Sequence, residues 1–106
     1  MSETRCYMIV IGEIHDRQAF FDGYAKVVPP LVEQFGGRYV LKGAGGEFLE
    51  NGWCNSPSAL VSEWPDRAAA HRFWNSPEYA EAIKLREGIG NFQVMLIDSA
   101  PIGSPT

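Results

Sequence analysis

The 106-residue sequence predicts an α+β domain whose elements run in the order β-α-β-β-α-β. Three observations lead there. The first and last strand candidates, Tyr7-Met8-Ile9-Val10-Ile11 and Val94-Met95-Leu96-Ile97, are apolar runs without polar alternation, as expected of strands covered on both faces. Between them lie two stretches of helical apolar spacing, each opened by a capping residue and closed by glycines. No repeat, low-complexity stretch or internal linker divides the chain, and this length folds as one core that buries roughly 60–70% of the unfolded surface. Residues 1–99 are therefore read as one domain and 100–106, with two prolines and little to bury, as a flexible tail.

Strand one covers about Cys6 to Ile14, and Asp16 caps the helix after it by accepting backbone N–H bonds. Phe20, Tyr24, Val27, Val28, Leu31 and Phe35 form the inward stripe of that helix. Pro29-Pro30 predicts a kink or a division into two short helices, because Pro29 disfavours helical geometry at Val28. Gly36-Gly37 supplies the left-handed cap. Strand two follows over Arg38 to Lys42. The Gly43-Ala44-Gly45-Gly46 turn then leads into a short return strand, Glu47 to Glu50, ended by Asn51-Gly52. Trp53 to Pro57 reads as a loop and Ala59 to Trp64 as strand three. Pro65 stops that strand, and Asp66 caps a helix running to about Trp74. Ser76-Pro77 restarts the helix as cap and first helical residue, with Tyr79, Ile83 and Arg86 on one face, before Gly88 and Gly90 release strand four.

This order is the ferredoxin-like arrangement of an antiparallel sheet, with strand one central beside strands three and four. Right-handed crossovers put both helices on one face of the sheet. The doubly apolar strands require the other face to be covered too, which predicts a homodimer packed sheet on sheet.

A net charge of −4 with scattered Lys and Arg argues against nucleic acid and anionic membranes as partners. No stretch approaches the ~18 apolar residues of a membrane span, and Met1 to Arg5 lacks the pattern of a secretory leader, so a cytoplasmic address is expected. Cys6 and Cys54 are too few for a disulfide framework and lack a histidine-assisted nucleophile pattern. His15, His71 and the cysteines show none of the close ligand pairs of a metal site, and no cofactor is expected.

Several blocks resemble the domain-of-unknown-function 1330 family, a branch of the dimeric α/β-barrel superfamily. They are Tyr7-Met8-Ile9, Asp16 with Tyr24, Pro30, Gly36-Gly37-Arg38-Tyr39-Val40-Leu41-Lys42-Gly43, Leu49-Glu50-Asn51-Gly52-Trp53, Glu63-Trp64-Pro65, and Trp74-Asn75-Ser76-Pro77-Glu78-Tyr79 followed by Arg86. Lys42-Gly43-Ala44 stands where the family often has Arg-Gly-Gly, and Trp64 where phenylalanine is commoner. The resemblance implies a dimer of ferredoxin-like subunits with a pocket between sheet and helices. Relatives in the wider superfamily include cofactor-free monooxygenases, muconolactone isomerase-like enzymes and haem-degrading proteins.

Glu13 and Glu63 are the leading acid–base candidates. Strands one and three are read as parallel neighbours, which brings the two carboxylates close near the same strand ends, where they can share a proton. The other reading pairs each with Arg38 or Lys42 in a polar patch at the dimer interface. His15, where strand one meets helix one, is a third candidate, although its leading reading is a solvated turn histidine. Tyr79 and Arg86, seven apart on one helix face, can orient a substrate beside Trp74, with Arg86 as a bidentate clamp and Arg38 as a further contact. Core packing of Tyr79 and capping by Arg86 is the alternative. Trp64, Phe73 and Trp74 are expected to line the pocket.

Two functions follow. One is a small-molecule enzyme, possible without a cofactor and oxygenase- or isomerase-like, acting on a small aromatic or carboxylate compound. The other is a non-catalytic dimeric ligand-binding or stress-related module.

Overall fold

The computed structural model describes residues 4–101, so most of the predicted tail lies outside the described residues. Four strands, β1 (Arg5–Ile14), β2 (Arg38–Gly43), β3 (Ser58–Trp64) and β4 (Gly90–Ser99), form one sheet in the order β2-β3-β1-β4. Every neighbouring pair is antiparallel. β1 is central and pairs with β4 from Arg5 opposite Ser99 to Ile14 opposite Gly90. Four helices, α1 (Arg17–Asp22), α2 (Tyr24–Gln34), α3 (Arg67–Trp74) and α4 (Pro77–Ala82), complete the α+β domain, with a 3-10 turn at Ile83–Arg86. The expected ferredoxin-like order is the observed one.

The predicted caps form. The side chains of Asp16, Asp66 and Ser76 accept from the backbone N–H groups of Ala19, Ala69 and Tyr79. At the end of α2, Gly36 takes φ +94°. Its N–H donates to Glu33 O while the Gly37 N–H donates to Val32 O, which is the two-bond glycine cap.

Three expectations are corrected. The first helix divides at Gly23, and α2 runs unbroken through Pro29 and Pro30. The prolines lack the N–H groups that would have reached the carbonyls of Ala25 and Lys26, while Val28 and Val32 stay buried and hold the helix down. No return strand forms at Glu47–Glu50. Residues 44–57 are a loop, closed where Gly46 N–H donates to Pro57 O at 2.8 Å. Strands one and three are antiparallel, with Cys6 opposite Trp64 and Gly12 opposite Ser58.

Strand parity sorts the side chains. Cys6, Met8 and Val10 face the helices, with Trp64 and Ser62 of β3 and Val94 and Leu96 of β4 beside them. Against these pack Val28 and Val32 of α2, Ala69, Ala70 and Phe73 of α3, and Tyr79 and Ala82 of α4. Trp64 is fully buried and donates its indole N–H to Ser62 Oγ at 2.9 Å, so the polar end of the largest core side chain is satisfied.

The opposite face carries Tyr7, Ile9, Ile11 and Glu13 of β1, Val61 and Glu63 of β3, and Asn91, Gln93, Met95 and Ile97 of β4. No described helix lies on it, and the described residues span 16 Å along the shortest axis, room for one sheet and one helical layer. Met95 is 50% exposed and Ile97 45%. No described helix is long and apolar enough to cross a membrane.

Candidate functional site

A cavity of about 260 Å³ lies between α1 and the helix-facing side of the sheet, beyond the end of the packed core. Its floor is Val10, Gly12 and Ile14 of β1 with Leu60 of β3 and Phe92 of β4. Its roof is Phe20, Phe21 and Tyr24, from the end of α1 and the start of α2. The volume falls just below the ~300–1,000 Å³ of pockets for drug-sized ligands, a size for one or two rings. Gly12 keeps it open, because a Cβ there would stand 2.7 Å from Phe92 Cδ1. A smaller recess of about 170 Å³ toward Val28 and Tyr39 shares Phe20, Phe21, Tyr24, Lys42 and Leu60 with it.

Aromatic rings join the cavity to the core. Phe20 stacks on Phe92 with centroids 6.0 Å apart and packs on Tyr24 at 5.4 Å. The Tyr24 and Tyr79 hydroxyls are 2.7 Å apart, and Tyr79 packs in turn on Phe73 and Trp74. Burial raises the Tyr24 phenol far above its ordinary value, with the Tyr79 hydroxyl adding to the shift. Tyr39 is pushed up to about 12 by burial. Both remain protonated at neutral pH.

Three cations line the cavity: Arg17, Lys42 and Arg86. No described Asp or Glu does. The Arg86 guanidinium lies 4.5 Å from the Phe92 ring centroid and 5.5 Å from that of Tyr24, so stacking fixes its place. Arg17 at the start of α1 donates to Ser58 Oγ at 3.2 Å, tying the helix to β3. Lys42 Nζ sits 5.7 Å from the Tyr39 ring centroid.

Of the seven residues that the sequence nominated, Arg86 alone lines this cavity. Glu13 and Glu63 do not meet. Glu63 stands opposite Tyr7, and Glu13 lies six positions further along β1, about 20 Å away at ~3.3 Å per residue. Each has its own partners on the open sheet face. Glu63 accepts from the Tyr7 hydroxyl at 2.7 Å and from Arg38 Nε at 2.9 Å. The Tyr7 bond first and then Arg38 hold its carboxyl below the usual value, while Tyr7 is raised in return. Glu13 lies 3.0 Å from His15 Nε2 and accepts from Asn91 Nδ2 at 3.2 Å, and these two bonds, His15 first, lower its carboxyl. Arg38 thus serves Glu63 on the open face, and His15 is an exposed turn residue partnered by Glu13.

Tyr79 is 3% exposed and reaches the cavity only through Tyr24. Trp64 and Phe73 are core residues, and Trp74 covers Tyr79, so none of the three lines the pocket as expected. Sequence reading missed Arg17, Phe21, Lys42 and Phe92 as cavity residues, and took Phe20 and Tyr24 as core alone. The available signal was the parity of Phe92 with Val94 and Leu96, which puts its ring on the helix side. The described residues contain no group of three His, Cys, Asp or Glu placed to hold a metal.

The fold is that of a ferredoxin-like α+β domain, which solved structures of low sequence identity share. The chain belongs to the DUF1330 family, a domain of unknown function, whose model matches residues 5–100. Among solved structures it is similar to RPA0582, a protein of unknown function from Rhodopseudomonas palustris. That pair has 19% identity and a TM-score of 0.76 over 96% of this chain and 85% of the other. SnoaB, a cofactor-independent oxygenase from Streptomyces nogalater, is similar at 12% identity and a TM-score of 0.67 over 95% and 98%. An antibiotic biosynthesis monooxygenase aligns at 17% identity and a TM-score of 0.52 over 90% and 99%. No curated relative matches the sequence.

Proposed function

We propose that the protein is a small-molecule enzyme, oxygenase- or isomerase-like and independent of a cofactor, acting on a small aromatic compound in the cavity beneath α1. The observation that carries this is the cavity itself: apolar walls of Phe20, Phe21, Val10, Leu60 and Phe92, with Tyr24, Arg17, Lys42 and Arg86 as its few polar lining groups. The likeness in fold to a cofactor-independent oxygenase supports the reaction class. Tyr24 serves as a hydroxyl donor and Arg86 as a fixed positive charge, both suited to stabilising an anion as it forms. In this reading Glu13, His15 and Glu63 belong to the open sheet face, where they surround an apolar surface that pairs with a second copy of the chain.

The test is incubation with one- and two-ring phenols and aryl acids under air, with dioxygen consumption and product masses recorded. Turnover that is lost in Gly12→Leu, whose Cβ would stand 2.7 Å from Phe92 Cδ1 and push that ring out of place, supports the enzyme where the variant keeps its fold by NMR. Binding without turnover would favour the ligand-binding module instead, and failure of every compound to bind would remove the cavity from consideration.

A further inference from the structure

We propose that the cavity selects an anion: an aromatic carboxylate of one or two rings whose carboxylate is received by Arg86. This rests on the reading of the cavity as a small-molecule site and names what that site takes.

The charge distribution is the first argument. The chain carries 13 acidic and 9 basic residues, so an unselected pocket should meet more carboxylates than cations. This one is lined by Arg17, Lys42 and Arg86 and by no described acid. Outside the cavity Arg38 pairs with Glu63, Arg67 with Asp98 and Lys84 with Glu81, while Arg5, Lys26 and Arg72 lie on the surface without an ion pair among the described residues. None of the three cavity cations has a carboxylate within ion-pair distance among the described residues.

The second argument is the state of Arg86. Its guanidinium rests against the rings of Phe92 and Tyr24, both cavity walls. No described oxygen accepts a hydrogen bond from it. Its N–H groups therefore have no described acceptor, and a guanidinium edge matches the two oxygens of a carboxylate. The contacts with both rings also mean that little side-chain freedom is lost when the anion arrives. Arg17 and Lys42 are both exposed and stand at the rim, where they attract the anion and leave the final contact to Arg86. The apolar walls then take the rings. A phosphate fits this chemistry less well, because a dianion needs more donors than one guanidinium and a hydroxyl provide.

The experiment compares 2-naphthoate with its neutral analogue 2-naphthamide and with 2-naphthylmethylammonium, titrated into the full-length protein and followed by NMR. Naphthoate is expected to bind at least about tenfold more tightly than the amide, the ammonium weakest, with shifts at Phe20, Tyr24 and Phe92. The Arg86 side-chain Nε–H signal of the unaltered protein should move with naphthoate and not with the amide. Arg86→Gln should bring the naphthoate-to-amide ratio close to one, and Arg86→Lys should restore part of it. Amide binding that matches naphthoate, or a ratio that survives in Arg86→Gln, overturns the anion proposal and leaves the small-molecule site standing. If Arg86→Gln fails to fold, the three-probe comparison and the Arg86 signal decide on the unaltered protein. No shift at the cavity residues with any probe overturns both readings.

Discussion

The paired hydroxyls of Tyr24 and Tyr79 give a prediction with a direction and a size. They lie 2.7 Å apart, and neither makes another hydrogen bond among the described residues. Tyr79 is 3% exposed and sits in the core, whereas Tyr24 also borders the cavity. The arrangement that leaves no buried donor orphaned has Tyr79 donating to Tyr24, whose own O–H turns to the cavity. Tyr24→Phe then strands the Tyr79 hydroxyl in the core, at about 1–3 kcal/mol. Tyr79→Phe removes one ordinary hydrogen bond and leaves Tyr24 its access to water, at about 0.5–1.5 kcal/mol. In the double variant no hydroxyl is stranded, so its cost falls below the sum of the single costs by about 1 kcal/mol. Urea unfolding of all four proteins at one protein concentration measures this, with equal slopes as the condition for comparison. Thermal midpoints should follow at about 4–8 °C per kcal/mol for a domain of this size. Single costs that add to within about 0.5 kcal/mol would refute the coupling. A Tyr79→Phe cost above that of Tyr24→Phe would refute the order of donation.

Two further outcomes concern the open sheet face. The lowered carboxyl of Glu63 contributes stability above its unfolded value of about 4.3, and that contribution is lost as pH falls through the lower folded value. Between about pH 5 and pH 3 the midpoint of the unaltered protein should therefore fall more steeply than that of Glu63→Gln, and parallel curves would show that the Tyr7 and Arg38 contacts do not persist in solution. Met95, half exposed in the single chain, lies in the middle of the proposed pairing surface. Met95→Lys should shift sedimentation from dimer to monomer with little change in the fold of the chain, and an unchanged mass would rule out pairing through this face.

The parts legible in the sequence are those set by neighbours along the chain. A cap is a side chain meeting a backbone N–H three residues on, so Asp16, Asp66 and Ser76 announce themselves, as does Gly36 with its left-handed backbone. The division of the first helix was misplaced because the local penalty of Pro29-Pro30 is offset by Val28 and Val32 in the core, which only the tertiary structure supplies. Glu47–Glu50 forms no strand because a strand needs a neighbour, and this segment finds none. The carboxylate pair failed on strand direction. Parity correctly grouped Glu13 with Tyr7, Ile9 and Ile11, but β3 runs against β1 and carries Glu63 to the opposite end. The cavity was the least legible, since its walls come from all four strands and from residues whose spacing reads as ordinary core.

The cavity's groups all act in one sense. Arg17, Lys42 and Arg86 are cations, and Tyr24, held protonated by burial, gives a proton to a hydrogen bond rather than taking one. Among the described lining residues there is no carboxylate or imidazole to act as a base at neutral pH. Such a site gains most from a molecule that arrives ionised, or whose developing negative charge is met by a positive charge already in place. Arg86 fits that demand because its guanidinium already lies against the Phe92 and Tyr24 rings before a ligand binds, so little reorganisation is needed at the moment of reaction. Binding preference and chemistry therefore depend on the same residue. A variant that abolishes selection for the anion should also abolish turnover, even where the neutral analogue still fills the cavity.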